Sequence, residues 1–153
     1  KYTDNTTQDL VEWEAEIIFV CVPTPQQDTH LDVDTYIARE VLRELDKLEY
    51  KGVVVVKSTI TPHHLKQFKT LFSTLRLVYN PEFLTEANSL QDFINPNMQI
   101  LGGELHDCIE VEQAYIHHSK VKIVPTFKTD LTSASLIKYS SSSSIDVPIT
   151  PIC

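Results

Sequence analysis

Ile17-Ile18-Phe19-Val20-Cys21-Val22-Pro23-Thr24-Pro25 decides how this chain is read. Six apolar residues run without a break into Pro-Thr-Pro. A short continuous apolar run closed by prolines reads as a buried parallel strand that ends at a ligand-facing loop. Pro23 and Pro25 have no N–H to give to a ladder, so the strand stops near Val22. Thr24 is then held on a stiff, extended segment at the carboxyl end of a strand. In open α/β sheets that edge is where ligands sit. A plain strand-to-loop exit would look the same, so the neighbouring segments must decide.

Working outward, strand-like and helix-like segments alternate. Residues 1–8 are polar and read as loop, and Asp9 to Glu16 reads as a short helix with Leu10, Val11 and Trp13 on its apolar side. Beyond the first strand, Asp32 or Asp34 caps a helix with Ile37, Val41, Leu45 and Leu48 on one face. Gly52 stands where that helix is expected to end. Val53-Val54-Val55-Val56 is a β-branched run suited to a strand covered on both faces. Pro62 fits the first position of another helix, which carries Leu65, Phe68, Leu71, Phe72 and Leu75 at helical spacing. Leu75–Tyr79 reads as the third strand, and a short helix is expected within Asn80–Phe93. A further strand spans Met98–Leu101 and closes on Gly102-Gly103. Asp107–His118 reads as helix, Val121–Val124 as strand, and a last helix runs from Asp130 or Thr132 through Tyr139.

This alternation implies βαβ units. The fold class is α/β: a partial Rossmann-like, mostly parallel sheet with flanking helices. The pattern then breaks at the serine run Ser140 to Ser144, followed by Pro148 and Pro151. Serine is a poor helix-interior residue. The expectation is therefore a domain over residues 1–139 and a tail, or a truncated interdomain helix, over 140–153.

The composition, with 153 residues, 42% hydrophobic and 22% charged, bounds one soluble, globular core. A net charge of −8 speaks against nucleic acid and against a membrane surface as partners. No apolar run approaches the roughly 20 residues of a membrane span. No secretory signal is visible. Cys21, Cys108 and Cys153 form neither a disulfide framework nor a C-x-x-C site, which points to a reducing cytoplasm. Cys21 reads as a small core residue within its strand. The adjacent pairs His63-His64 and His117-His118 point to different sides of a helix, so no metal is expected. The only glycines are Gly52, Gly102 and Gly103, and none stands in a G-x-G-x-x-G turn.

Three segments carry the chemistry: Val22-Pro23-Thr24-Pro25, then Lys57-Ser58-Thr59, then Asn80-Pro81-Glu82-Phe83-Leu84-Thr85-Glu86. Thr24 and Thr59 both follow strands, so their hydroxyls share one sheet edge and can donate to phosphate or ribose oxygens without adding charge. Both could equally cap turns. Lys57, at a strand end, meets a nucleotide or is simply solvated. Glu82 and Glu86 share a helical face if Pro81 starts a turn. Two nearby carboxylates suit one of them to base work, while an acid pair at a helix start would read the same way.

In this order, with helical patterns between them, the three segments resemble the UDP-glucose/GDP-mannose dehydrogenase family over roughly Thr6 to Tyr139. The resemblance implies NAD as cofactor, held at Val22, Pro23, Thr24 and Thr59. It implies a nucleotide-sugar substrate against Phe83, Leu84 and Glu86, with Glu82 as base, directly or through water. It implies that Lys138 stabilises a developing oxyanion. The family usually carries asparagine four residues after that lysine and glutamate three before it; here these are Ser142 and Ser135. The glycine-rich turn would precede Thr6, and the family's nucleophilic cysteine lies in a Gly-x-Cys-x-x-Lys-Asp motif beyond this chain's end. The reaction implied is oxidation of a sugar-nucleotide alcohol to the uronate, with two NAD⁺ consumed, cysteine as nucleophile and a homodimer as the assembly. The isolated chain is expected to be inactive. The rival reading is a non-catalytic remnant, a binding or interaction module of the same fold.

Overall fold

The computed structural model describes residues 7–12, 14–25, 33–84 and 88–142. The elements in chain order are α1 (Thr7–Glu12), β1 (Ile17–Val20), α2 (Tyr36–Lys47), β2 (Val53–Val56), α3 (Pro62–Leu71), β3 (Arg76–Tyr79), α4 (Ser89–Ile94), β4 (Gln99–Gly103), α5 (Leu105–His118), β5 (Thr126–Thr129) and α6 (Leu131–Ser142). One five-stranded sheet runs in the order β1-β2-β3-β4-β5. All neighbours pair in parallel except β3 and β4. The sheet is thus mostly parallel and Rossmann-like, as the sequence implied.

The antiparallel step has a local cause. A parallel return needs a crossover that carries the chain back to the starting edge. Between β3 and β4 the only helix among the described residues is α4, six residues long. The chain stays on the carboxyl edge of β1–β3 and re-enters the sheet from there. The described parts of this connection, residues 80–84 and 88–98, are thereby kept at that edge.

The two faces are covered unequally. On one, α2, α3 and α6 bring Ala38, Leu42, Leu45, Leu65, Phe68 and Ala134 against Val54, Val56 and Tyr79. On the other, α5 brings Cys108, Val111 and Tyr115 against Val53, Val55, Val78 and Leu101. The four valines of β2 are buried on both sides. Each contributes roughly 1.5–3 kcal/mol of apolar burial, an upper estimate because unfolded chains are already compact. Thr61 caps α3 through His64 N–H, with Pro62 at its first turn as expected.

Several expectations need correction. β1 is covered on one face only: Ile18 and Val20 are buried, but Phe19 is 43% exposed. Cys21 is likewise exposed and is not a core residue. The cause is that α5 lies over the middle of the sheet and reaches Phe19 only edge-on, through Tyr115 at 5.8 Å. The last strand is Thr126–Thr129, not Val121–Val124. Lys122 N–H bonds Ile94 O at 2.7 Å, so this apolar run ties down the end of α4 instead of joining the ladder. Gly52 does not end α2. The helix stops at Lys47 and Glu49 takes the positive φ of 52°. Gly52 is needed because a Cβ there would sit 2.1 Å from Tyr50 Oη and 2.4 Å from Glu16 O.

The ends of other elements also differ from expectation. Asp34 accepts Tyr36 N–H ahead of α2, while Asp32 lies outside the described residues. The first helix ends at Glu12, and Glu14 has a φ of 53°. The serine run does not stop α6 at Tyr139. The helix continues to Ser142, and the Ser140 and Ser141 hydroxyls bond back to Ile137 O. Among the described residues no helix is long and apolar enough to cross a membrane.

Candidate active site

The exits of β1, β2 and β3 lie side by side on the carboxyl edge, because these strands are parallel and in register. Ser58 joins the first two. Its hydroxyl accepts Val22 N–H at 2.8 Å and donates to Val22 O at 2.7 Å. The backbone polar groups of Val22 are therefore already spent, and Pro23 has no N–H. What this edge offers a ligand is the hydroxyls of Thr24 and Thr59, both half-buried. Neither has a hydrogen-bond partner among the described residues. Two free hydroxyls at the carboxyl edge are the donor set that ribose or phosphate oxygens need. They fit one side of a dinucleotide; a glycine-rich turn for its pyrophosphate is not in this sequence.

The exit of β3 carries the charged part of the site. Asn80 is buried, and its Nδ2 donates to Ile100 O at 2.9 Å, which fixes the amide. Its Oδ1 accepts from Tyr115 Oη at 2.7 Å and from Lys57 Nζ at 3.0 Å. Lys57 Nζ also lies 3.3 Å from Tyr115 Oη and 3.2 Å from Glu82 Oε1. The Lys57 side chain is only 9% exposed, which removes the solvated-lysine reading. Its ammonium also faces the Phe93 ring at 5.5 Å.

Glu82, Phe83 and Leu84 are half-buried and non-helical. The shared helical face expected for Glu82 and Glu86 is not formed at Glu82, since the next helix starts at Ser89. Pro81 lies in irregular backbone rather than in a turn or helix. Glu86 lies outside the described residues. From the opposite side, α6 brings Lys138 Nζ to 5.3 Å from the Phe83 ring. Burial pushes the Lys138 ammonium below the ordinary lysine range, and the Glu82 carboxylate partly opposes that. Lys138 and Glu82, distant in sequence, thus come within electrostatic reach of each other. Burial pushes the Cys21 thiol up; the nearby Lys57 lowers it and Glu82 raises it further.

Two cavities meet at Lys57, Glu82 and Phe93. One, of about 280 Å³, is also lined by Asn80, Phe83 and Asn97. The other, of about 400 Å³, is also lined by Phe19, Cys21 and Tyr115. The structure brings Thr24, Thr59, Glu82, Phe83 and Leu84 to one sheet edge, with Lys138 reaching Phe83 from α6, and adds Ser58, Asn80 and Tyr115, which the sequence did not single out. Ser58 and Asn80 stood inside the quoted motifs. Tyr115 gave no signal, being 58 positions from Lys57.

A family model, described as the UDP-glucose/GDP-mannose dehydrogenase family NAD binding domain, matches residues 2–119. An uncharacterised protein of Methanocaldococcus jannaschii is 36% identical over 145 residues, covering 90% of this chain and 16% of that protein. A UDP-glucose 6-dehydrogenase of Campylobacter jejuni is 26% identical over 129 residues, covering 84% of this chain and 33% of its own length. The crystal structure of a UDP-glucose dehydrogenase from Pyrobaculum islandicum superposes with a TM-score of 0.74 at 23% identity, over 89% of this chain and 33% of that one. The chain thus spans a third or less of these relatives. NAD is the cofactor of the matched domain. By its motifs, its sheet and this match, the chain belongs to the UDP-glucose/GDP-mannose dehydrogenase family.

Proposed function

We propose that this chain is a fragment of an NAD-dependent nucleotide-sugar 6-dehydrogenase, one that oxidises UDP-glucose or a similar sugar nucleotide to the uronate. The observation that carries the proposal is the pairing of Glu82 with Lys57 at the strand edge, with Lys138 over the neighbouring Phe83 ring. NAD⁺, when bound, supplies the hydride acceptor. Thr24 and Thr59 hold its oxygens, with Val22 and Pro23 packing against it. Phe83, Leu84 and Glu86 line the sugar nucleotide. Glu82 takes the proton from the substrate hydroxyl or from an attacking water, work worth roughly 10²–10⁴ in rate. Lys138 places its ammonium where an oxyanion develops. The protein is cytoplasmic and homodimeric in this reading and binds neither nucleic acid nor membrane.

Ser135 favours the rival, a non-catalytic binding module. It stands where the family usually has glutamate, is fully buried, and spends its hydroxyl on Ile60 O at 2.7 Å. The test is NADH formation from NAD⁺ and a panel of UDP- and GDP-sugars, with Glu82→Gln beside it. Turnover lost in Glu82→Gln supports the base assignment and shows that the chain suffices alone. NAD⁺ binding without turnover supports a fragment or a binding module. Absence of NAD⁺ binding overturns the reading.

A further inference from the structure

We infer that Lys57 is a positioning residue: its buried ammonium holds Glu82 Oε1 and thereby decides which carboxylate oxygen faces the cleft. The inference rests on the proposed role of Glu82 as the base. It adds a residue for which neither the strand-end pattern nor the family match supplies this task.

Hydrogen-bond chemistry leaves little freedom in the assignment. A lysine ammonium has three protons and accepts nothing. Three oxygens surround Nζ: Asn80 Oδ1 at 3.0 Å, Tyr115 Oη at 3.3 Å and Glu82 Oε1 at 3.2 Å. The Tyr115 hydroxyl has one proton, and it goes to Asn80 Oδ1 at 2.7 Å, so its oxygen is left to accept from Lys57. Asn80 is in turn fixed by Ile100 O. The ammonium is therefore clamped by β3, β4 and α5 before Glu82 enters. Two of its partners are neutral, and Glu82 supplies the compensating charge. A buried cation without that charge is strongly disfavoured, so Lys57 draws Glu82 into one place.

Glu82 needs such an anchor. It lies on an irregular segment with no helical hydrogen bonds around it, and its side chain has three torsions to fix. Lys57 engages Oε1 alone; among the described residues Oε2 has no hydrogen bond. Glu82 also belongs to the lining of both cavities, with Lys57 and Phe93. A carboxylate swung away from Lys57 would open one cavity into the other. A guanidinium could not replace the ammonium, because its planar donors do not match three oxygens grouped around one nitrogen.

The test uses nuclear magnetic resonance on the full chain labelled with ¹³C and ¹⁵N, without NAD or sugar nucleotide. In the wild type, a through-space coupling is expected between the Lys57 Hε and Glu82 Hγ protons, as for an ion pair 3.2 Å across. The two Glu82 Hγ protons are expected to have different shifts, as in a held side chain. In Lys57→Met, the Hγ difference collapses while the amide spectrum stays dispersed. A residue needed only for stability would lower the melting temperature of Lys57→Met and leave the Glu82 Hγ pair distinct, and that result overturns the inference. If Lys57→Met does not fold, the wild type decides: an averaged Glu82 side chain with no coupling to Lys57 overturns it. Since neither readout involves turnover, a failure here leaves the proposed reaction standing, and an inactive chain leaves this result standing.

Discussion

Two cations sit at opposite ends of the sheet, Arg76 at the amino edge and Lys57 at the carboxyl edge, and their surroundings differ in kind. Arg76 opens β3 and meets two carboxylates: Nε and Nη2 reach Asp107 Oδ1 at 2.7 and 2.6 Å, and Nη2 reaches Glu110 Oε2 at 2.5 Å. The hydrogen bond it donates to Glu110, ahead of that to Asp107, raises the guanidinium further above its already high range. The charge is over-compensated, and Nε and Nη2 are both committed to α5. Lys57 meets one carboxylate and two neutral oxygens, beside two cavities. A cation answered by two carboxylates on one helix fastens that helix to the sheet. A cation answered by a single carboxylate at a cleft keeps that carboxylate in place for use. A buried pair is therefore not by itself a sign of function; its position on the sheet and the cavities beside it decide.

The comparison can be broken by substitution. The largest effect is expected at the carboxyl edge: where the chain forms NADH from a sugar nucleotide, Glu82→Gln should lower the rate roughly 10²–10⁴-fold in a steady-state assay, with a smaller loss of stability than at the amino edge, because a third of the Glu82 side chain is exposed and the amide oxygen can still accept from Lys57. The opposite pattern is expected at the amino edge. Arg76→Met strands the Asp107 carboxylate, whose side chain is only 3% exposed. Chemical denaturation should show a loss of about 3 kcal/mol, the low end for a buried pair, because a third of the Arg76 side chain is exposed. NAD⁺ affinity should be unchanged. If Arg76→Met abolishes NAD⁺ binding in a protein that still folds, the division of labour is wrong.

Smaller effects sharpen the same contrast. Ser58→Ala leaves Val22 N–H without its partner and should cost about 1–3 kcal/mol in denaturation, with weaker NAD⁺ binding because the exits of β1 and β2 come apart. The smallest effect is at the amino end of α6. Asp130 Oδ1 accepts Thr132 and Ser133 N–H, both at 2.9 Å. The hydrogen bonds from Ser133 hold its carboxyl below the ordinary range. A carboxyl whose folded-state value is depressed adds stability above its unfolded value and loses it as pH falls through the folded one. Asp130→Ala should therefore cost about 1 kcal/mol at neutral pH, and the difference from wild type should fade in acid.

Much of this was legible in the sequence, for reasons that are local. Four β-branched residues in a row could only be a doubly covered strand, and Pro62 after Thr61 could only start a helix well. The order of the motifs placed Thr24, Thr59 and Glu82 on one edge because parallel strands share their exits. What was not legible depends on distant parts of the chain. The antiparallel step depends on how far a six-residue helix can carry the chain. Phe19 and Cys21 are exposed because of where α5 comes to lie, and no pattern within β1 reports that. The run at 121–124 is apolar enough for a strand, but its backbone was already engaged by Ile94. Lys57 read equally as a nucleotide contact or a solvated residue, because its neutral partners, Asn80 and Tyr115, come from β3's exit and from α5. Serine's poor helix propensity at Ser140 and Ser141 does not end α6, where their hydroxyls bond back to Ile137 O within the helix.

The central claim is that the edge made by Thr24 and Thr59 holds the cofactor. The most direct measurement is titration of the labelled chain with NAD⁺, followed through backbone amide shifts. The account predicts that the shifts concentrate at Val22, Thr24 and Thr59 and are lost in Thr24→Val/Thr59→Val. Shifts that fall instead in the groove between α2 and α3, or that survive the double substitution, would contradict it.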